Sequence, residues 1–277
     1  MTLVFENLTK RYGSNVAIDG VSAIFEPGLI HGIIGPNGAG KSTLINMTAG
    51  SYTVSEGEIR LDATRLDGLK KYEIANGGLG RTYQNIRLFD QMTCAENLEV
   101  CFYDRDKGGI WREVLWPPYA RRREAERRAS AIAILKVFGL EGFADREAGS
   151  LPYGRQRMLE IARALAQDPK VLLLDEPAAG LNHHETAELT ERLATLRRPD
   201  RIIIVVEHDM DLVMSLCDRI KVLHHGKLLF EGTPAEVQAS SDVQLAYLGT
   251  PNDIEDIRAA AQDRRAQLGI RTRRRTH

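Results

Sequence analysis

Residues Gly35, Pro36, Asn37, Gly38, Ala39, Gly40, Lys41, Ser42 and Thr43 run in the order G-x-x-x-x-G-K-[ST]. The chemistry open to that spacing is phosphate binding. Glycines 35, 38 and 40 let the backbone curl until its N–H groups face inward as a cradle for phosphate oxygens. Lys41 can reach β- and γ-phosphates, and the Ser42 hydroxyl can ligate Mg²⁺. Much later, Val171-Leu172-Leu173-Leu174 ends in two carboxylates, Asp175 and Glu176. Asp175 can hold Mg²⁺, directly or through water. Glu176, one residue on, faces another way and can polarise a water aimed at a γ-phosphate. A phosphate loop alone serves transferases, GTPases and motors; joined to an apolar strand ending Asp-Glu, it points to ATP hydrolysis.

Two further residues fall where such a site would use them. His208 follows the apolar Val205-Val206 and Glu207. In doubly wound sheets ligands sit at the carboxyl ends of the strands, so His208 is placed to touch a γ-phosphate or the attacking water. Gln84, in Arg81-Thr82-Tyr83-Gln84-Asn85, offers a neutral amide that can ligate Mg²⁺ and sense the γ-phosphate. It is read as the start of a helical segment.

These side chains need elements to hold them. Residues 29–34 read as a buried strand and 42–49 as the helix leaving the loop, whose N-terminus adds partial positive charge. Strands are expected over 2–8, 16–25, 58–61, 171–174 and 202–206, with a helix over 183–198. Alternating strands and helices imply a mostly parallel, buried sheet. From about residue 85 to 147 helical patterns dominate. Ala131, Ile134, Leu135 and Phe138 share a helical face, and Gly139 marks its end. The arginines at 121–123, 127 and 128 read as a solvated stretch ahead of that helix, or else as a contact surface. Residues 103–119, with two Gly, two Trp and two Pro, read as a long loop or insertion. Residues 219–223 and 227–230 suggest a hairpin around His224-His225-Gly226. Thr233-Pro234-Ala235-Glu236 is a capping box with Pro at the first helical position.

Bulk composition limits the alternatives. The 277 residues carry 37 Lys+Arg and 38 Asp+Glu, a net charge of −1. That balance argues against a nucleic-acid coat. Three cysteines without a C-x-x-C pair suggest a reducing compartment. No apolar run approaches the roughly 20 residues of a membrane span, so any membrane role comes through a partner.

Taken in order, these motifs resemble an ABC-transporter ATPase subunit. Tyr12 falls where that family has an aromatic that stacks on adenine, and Gln84 at its Q-loop. Leu151-Pro152-Tyr153-Gly154-Arg155-Gln156 falls at its Leu-Ser-Gly-Gly-Gln signature, Ala179-Gly180-Leu181-Asn182 at its D-loop, and His208 at its switch histidine. More narrowly the chain is similar to the ATPase of branched-chain amino-acid importers. That similarity rests on residues 81–89, the Tyr153-Gly154 variant, residues 175–182, Glu207-His208-Asp209-Met210 and the ending Ala246-Tyr247-Leu248-Gly249. Of the two related subunits, it looks like the longer one with the insertion. Three positions depart from the family pattern: Pro152 for serine, Arg155 where glutamine is common, and Asn182 for aspartate.

The resemblance implies an α/β P-loop NTPase fold with a mostly parallel core sheet, an antiparallel β subdomain and a helical subdomain at about 85–165. The ATPase domain would cover residues 1–250, followed by a polar, basic extension at 251–277. ATP and Mg²⁺ would be cofactors. Residues 152–155 would cap a nucleotide held by a second ATPase subunit, so a dimer is implied. Permease subunits in the membrane, and indirectly a periplasmic or extracellular binding protein, would be partners, with the chain peripheral on the cytoplasmic face. Rival readings are a soluble ABC-type switch in DNA repair or translation, and the ATPase of a lipid exporter. The first usually has two cassettes or long coiled coils, and the insertion fits the second less well.

Overall fold

The computed structural model describes residues 1–105 and 117–248. Most of the expected insertion, and all of the 251–277 extension, lie outside the described residues. Six strands form the central sheet: β3 (Ile30–Ile34), β6 (Leu79–Arg81), β7 (Val171–Asp175), β8 (Ile202–Val206), β9 (Arg219–His224) and β10 (Lys227–Gly232). Their order is β10-β9-β3-β8-β7-β6, parallel except for β10 on β9. A second, antiparallel sheet runs β2-β1-β4-β5, from β1 (Leu3–Tyr12), β2 (Asn15–Phe25), β4 (Glu56–Leu61) and β5 (Thr64–Arg65).

The central strands read as unbroken apolar runs because both faces are covered. Leu172, Leu174, Ile203 and Val205 face one core with the helices. Val171, Leu173, Ile202, Ile204 and Val206 face the other, shared with the antiparallel sheet and α1 (Lys41–Thr48). The alternation is the period of two of a pleated strand.

The remaining helices are α2 (Lys71–Asn76), α3 (Cys94–Glu99), α4 (Pro117–Val137), α5 (Tyr153–Ala166), α6 (His183–Thr195), α7 (Met210–Leu216), α8 (Pro234–Ala239) and α9 (Ser241–Leu248). Buried Ala131, Leu135 and Phe138 of the α4 region share a core with Leu98 of α3 and Leu159 and Ala162 of α5. The α4 helix ends before Gly139, which takes φ +66°. The capping box at Thr233–Glu236 starts α8. Among the described residues no helix is long and apolar enough to cross a membrane.

Two expectations need correcting. The arginine-rich stretch is part of α4 rather than a lead-in to it. Arginine is a good helix former, and Glu126 accepts from Arg122 and Arg123 one turn back. Nor is the stretch wholly solvated: Arg127 is buried, and Arg128 reaches Glu99 and Asp145. Gln84 does not begin a helix. The next helix starts at Cys94, capped by Thr93, because the Tyr83 and Gln84 carbonyls are held by a side chain from α5 instead of by helical N–H groups.

Candidate nucleotide site

Buried β3 delivers the chain to Gly35, whose φ is +154°. A Cβ there would sit 2.2 Å from the Leu223 carbonyl oxygen; one at Gly40 would sit 2.7 Å from that of Ala17. Only glycine lets the loop thread this closely. The α1 helix starts at Lys41 with no side-chain cap. Its first N–H groups therefore have no acceptor within the helix and are available to an anion. The Lys41 ammonium donates to the carbonyls of Gly35 at 2.6 Å and Pro36 at 3.1 Å, folded over the loop. Burial lowers its pKa, and the Glu176 and Asp175 carboxylates oppose that shift. Residues 37–43, Ala17 and Glu176 line one pocket, so loop and acidic strand end share a cavity.

Asp175 closes β7, 3.0 Å from the Arg81 guanidinium, with both side chains buried. Burial raises its pKa; Arg81 opposes this. Glu176 takes φ +47°, which turns the chain sharply after the strand. Its N–H donates to Val206 on β8. Its carboxylate accepts from the Gln84 amide at 3.2 Å and lies 4.0 Å from Nδ1 of His208. Thus Gln84, Glu176 and His208, distant in sequence, converge beside the phosphate loop. Glu207 is buried and accepts from the N–H groups of Ala178 and His208, joining the turns after β7 and β8. Burial raises its pKa, and those N–H bonds oppose this.

Tyr12 ends β1, 45 % exposed, its ring edge-on to Tyr52 at 6.0 Å. Burial raises its hydroxyl pKa, with Tyr52 adding to the rise and Thr43 opposing it. The segment 152–155 is not among the residues lining that loop's pocket. Pro152 is the N-cap of α5, and the Tyr153 hydroxyl donates to the Ala179 carbonyl. Arg155 pairs with Glu188 on α6 at 3.1 Å. Gly154 packs so that a Cβ would meet the Glu185 carboxylate at 2.6 Å. Asn182 caps α6, accepting from the N–H groups of His184 and Glu185. His183 and His184 are exposed, and His224 and His225 lie ring to ring at a turn.

Sequence reasoning used Arg81 and Glu207 only as marks of the family and gave Arg157 no role. Of the three, only Glu207, a charge directly after the apolar run 202–206, left a local signal.

A phosphate loop after a central parallel strand, with a histidine beyond the neighbouring strand and Asp-Glu ending the strand after that, defines an ATP-hydrolysing cassette. The chain belongs to the ABC transporter family, whose model matches residues 18–179. Residues 227–252 match the branched-chain amino acid ATP-binding cassette transporter family. The chain is 43 % identical over 248 residues to the high-affinity branched-chain amino acid transport ATP-binding protein BraF of Pseudomonas aeruginosa, covering 89 % of this chain and 97 % of that protein. Identity to LivG of Escherichia coli K12, of the same description, is 43 % with the same coverage. Among solved structures it is similar to the ADP conformation of MJ1267, an ATP-binding cassette of an ABC transporter. The TM-score is 0.77 at 30 % identity, over 90 % of this chain and all of that one. It also resembles the dimeric post-hydrolysis cassette MJ0796 bound to ADP and Pi, with TM-score 0.70 at 27 % identity, over 84 % of this chain and 98 % of that one.

Proposed function

We propose that this cassette energises uptake of branched-chain or related small amino acids. It would do so as a dimer at the cytoplasmic face of a membrane, docked on permease subunits. The substrate class follows the relatives named BraF and LivG. The single observation that carries the catalytic reading is the convergence of Gln84, Glu176 and His208 beside the phosphate loop. In this reading Tyr12 stacks on the base, the loop N–H groups and Lys41 hold the phosphates, and Glu176 orients and deprotonates water. His208 contacts the γ-phosphate.

The oxygen donors Ser42, Gln84 and Asp175 suit a hard cation such as Mg²⁺, which when bound supplies positive charge to the phosphate oxygens. Residues 152–155, which do not line their own loop's pocket, cap the nucleotide of a second subunit. ATP held from both sides favours the closed dimer; hydrolysis removes that preference and lets it open. Residues 1–250 form the ATPase unit, and the packed α3–α5 region, about 85–165, is its helical part and carries the permease contact.

The test is Glu176→Gln. The amide keeps size and hydrogen bonding but cannot take a proton. Nucleotide affinity should hold while turnover falls by roughly two or more orders of magnitude. Turnover within twofold of the parent would remove Glu176 from this role.

A further inference from the structure

Arg157 is the largest fully buried side chain among the described residues. It stands on α5, directly after the 151–156 segment. A guanidinium has five N–H donors and no acceptor, and all five are engaged. Nε donates to the Pro177 carbonyl at 3.1 Å. Nη1 donates to the Tyr83 carbonyl at 2.8 Å and to the Glu160 carboxylate at 2.7 Å. Nη2 donates to the Gln84 carbonyl at 3.3 Å and to the Glu176 carbonyl at 2.6 Å. Glu160, one turn on, also accepts from the Tyr83 N–H at 3.4 Å.

Four of the five bonds thus end on the main chain at two places, 83–84 and 176–177. These are the backbones of Gln84 and Glu176, whose side chains meet at 3.2 Å. A helix anchor would need only the Glu160 pair. Moreover, Glu176 sits at φ +47°, a conformation a glutamate leaves unless its surroundings hold it. The bond to its carbonyl supplies such a hold. We propose that Arg157 is a positioning residue for ATP hydrolysis: it fixes the Glu176 and Gln84 backbones at once, so that the two side chains are aimed together at the phosphate loop. Because α5 also begins with residues 152–155, the same side chain ties the element offered to a second subunit to this subunit's own carboxylate. The inference rests on the reading of Glu176 given above.

Arg157→Lys keeps the charge and the Glu160 partner but replaces a five-donor fork with one nitrogen. In the full-length protein it should leave nucleotide affinity and KM near the parent values and lower kcat at least about tenfold, the scale of a misaimed catalytic group. Glu176→Gln supplies the decisive background. If Arg157 acts through Glu176, Arg157→Lys adds little to the loss already caused by Glu176→Gln; a merely structural role would add its full cost in both backgrounds. Arg157→Gln/Glu160→Gln, which removes both buried charges together, is the second variant if lysine is not tolerated, with the same expectations. A folded variant with kcat within twofold of the parent, equal losses in both backgrounds, or a parallel loss of nucleotide binding would overturn the proposal. Parent-like turnover in Glu176→Gln alone would instead overturn the reading beneath it.

Discussion

In the proposed site Lys41 serves the phosphates and Tyr12 the base, so their substitutions should separate the two. Lys41→Ala removes the cation nearest the phosphates and should weaken ATP far more than adenosine. Tyr12→Ala should weaken both by a similar amount, about 0.5–1.5 kcal/mol for a lost stacking contact. Titration calorimetry with the two ligands tests this; parent-like ATP affinity in Tyr12→Ala would take the base off Tyr12. A second residue-scale effect lies far from the nucleotide. His31 is buried, with Nδ1 lacking a hydrogen-bond partner, and burial holds its pKa down at about 4. The unfolded chain takes up that proton near pH 6.5; the folded chain does not until near 4. Stability should therefore fall as pH drops through that window and level off below it. At about 1.4 kcal/mol per pKa unit the loss approaches ~3 kcal/mol. His31→Gln should flatten that part of the curve in urea titrations at stepped pH. Matching slopes in parent and variant would show that His31 is not its source.

At the scale of elements, the unusual residues at 152 and 182 sit at helix starts. Asn182 caps α6 through its side chain. Asn182→Ala should cost about 1 kcal/mol, whereas Asn182→Asp, an equally good cap, should be close to neutral. Thermal melts of the two distinguish this cap from a purely catalytic role for position 182. Pro152 caps α5 without a side-chain bond. Pro152→Ser gains a cap worth roughly 0.5–2 kcal/mol and loses about 0.4–1 kcal/mol of chain stiffness, so little net change is expected. Gly154→Asp should abolish hydrolysis and spare nucleotide binding by the monomer. It also sets a second carboxylate beside Glu185, so its melting point must be read alongside that of Gly154→Ala.

How far these elements could be read from sequence depends on the range of the forces that make them. The phosphate loop was legible because its glycines answer to local sterics. Strands β7 and β8 were legible because two-sided burial writes an unbroken apolar run. The stretch after Arg81 was not, since its backbone acceptors are claimed by Arg157, remote in the chain. The apparent break before the Ala131–Phe138 face vanished once the arginines of α4 found acids within a turn's reach.

For the whole molecule, the proposed assembly makes a simple physical prediction. A near-neutral chain with no apolar membrane-length helix among its described residues should sediment with membranes only when permease subunits are co-expressed. Binding to protein-free anionic liposomes at physiological salt would instead give the basic tail a lipid role of its own.

The separation between the phosphate loop and the 152–155 segment has a consequence for inheritance. In the dimer proposed here, each gene product contributes one half to each of two sites. A copy with a damaged phosphate loop spoils the site it carries, but a copy with a damaged α5 start spoils its neighbour's. Co-expressed with intact protein, either kind of allele should leave one working site in each mixed dimer. Two differently broken copies, mixed, should restore one working site between them.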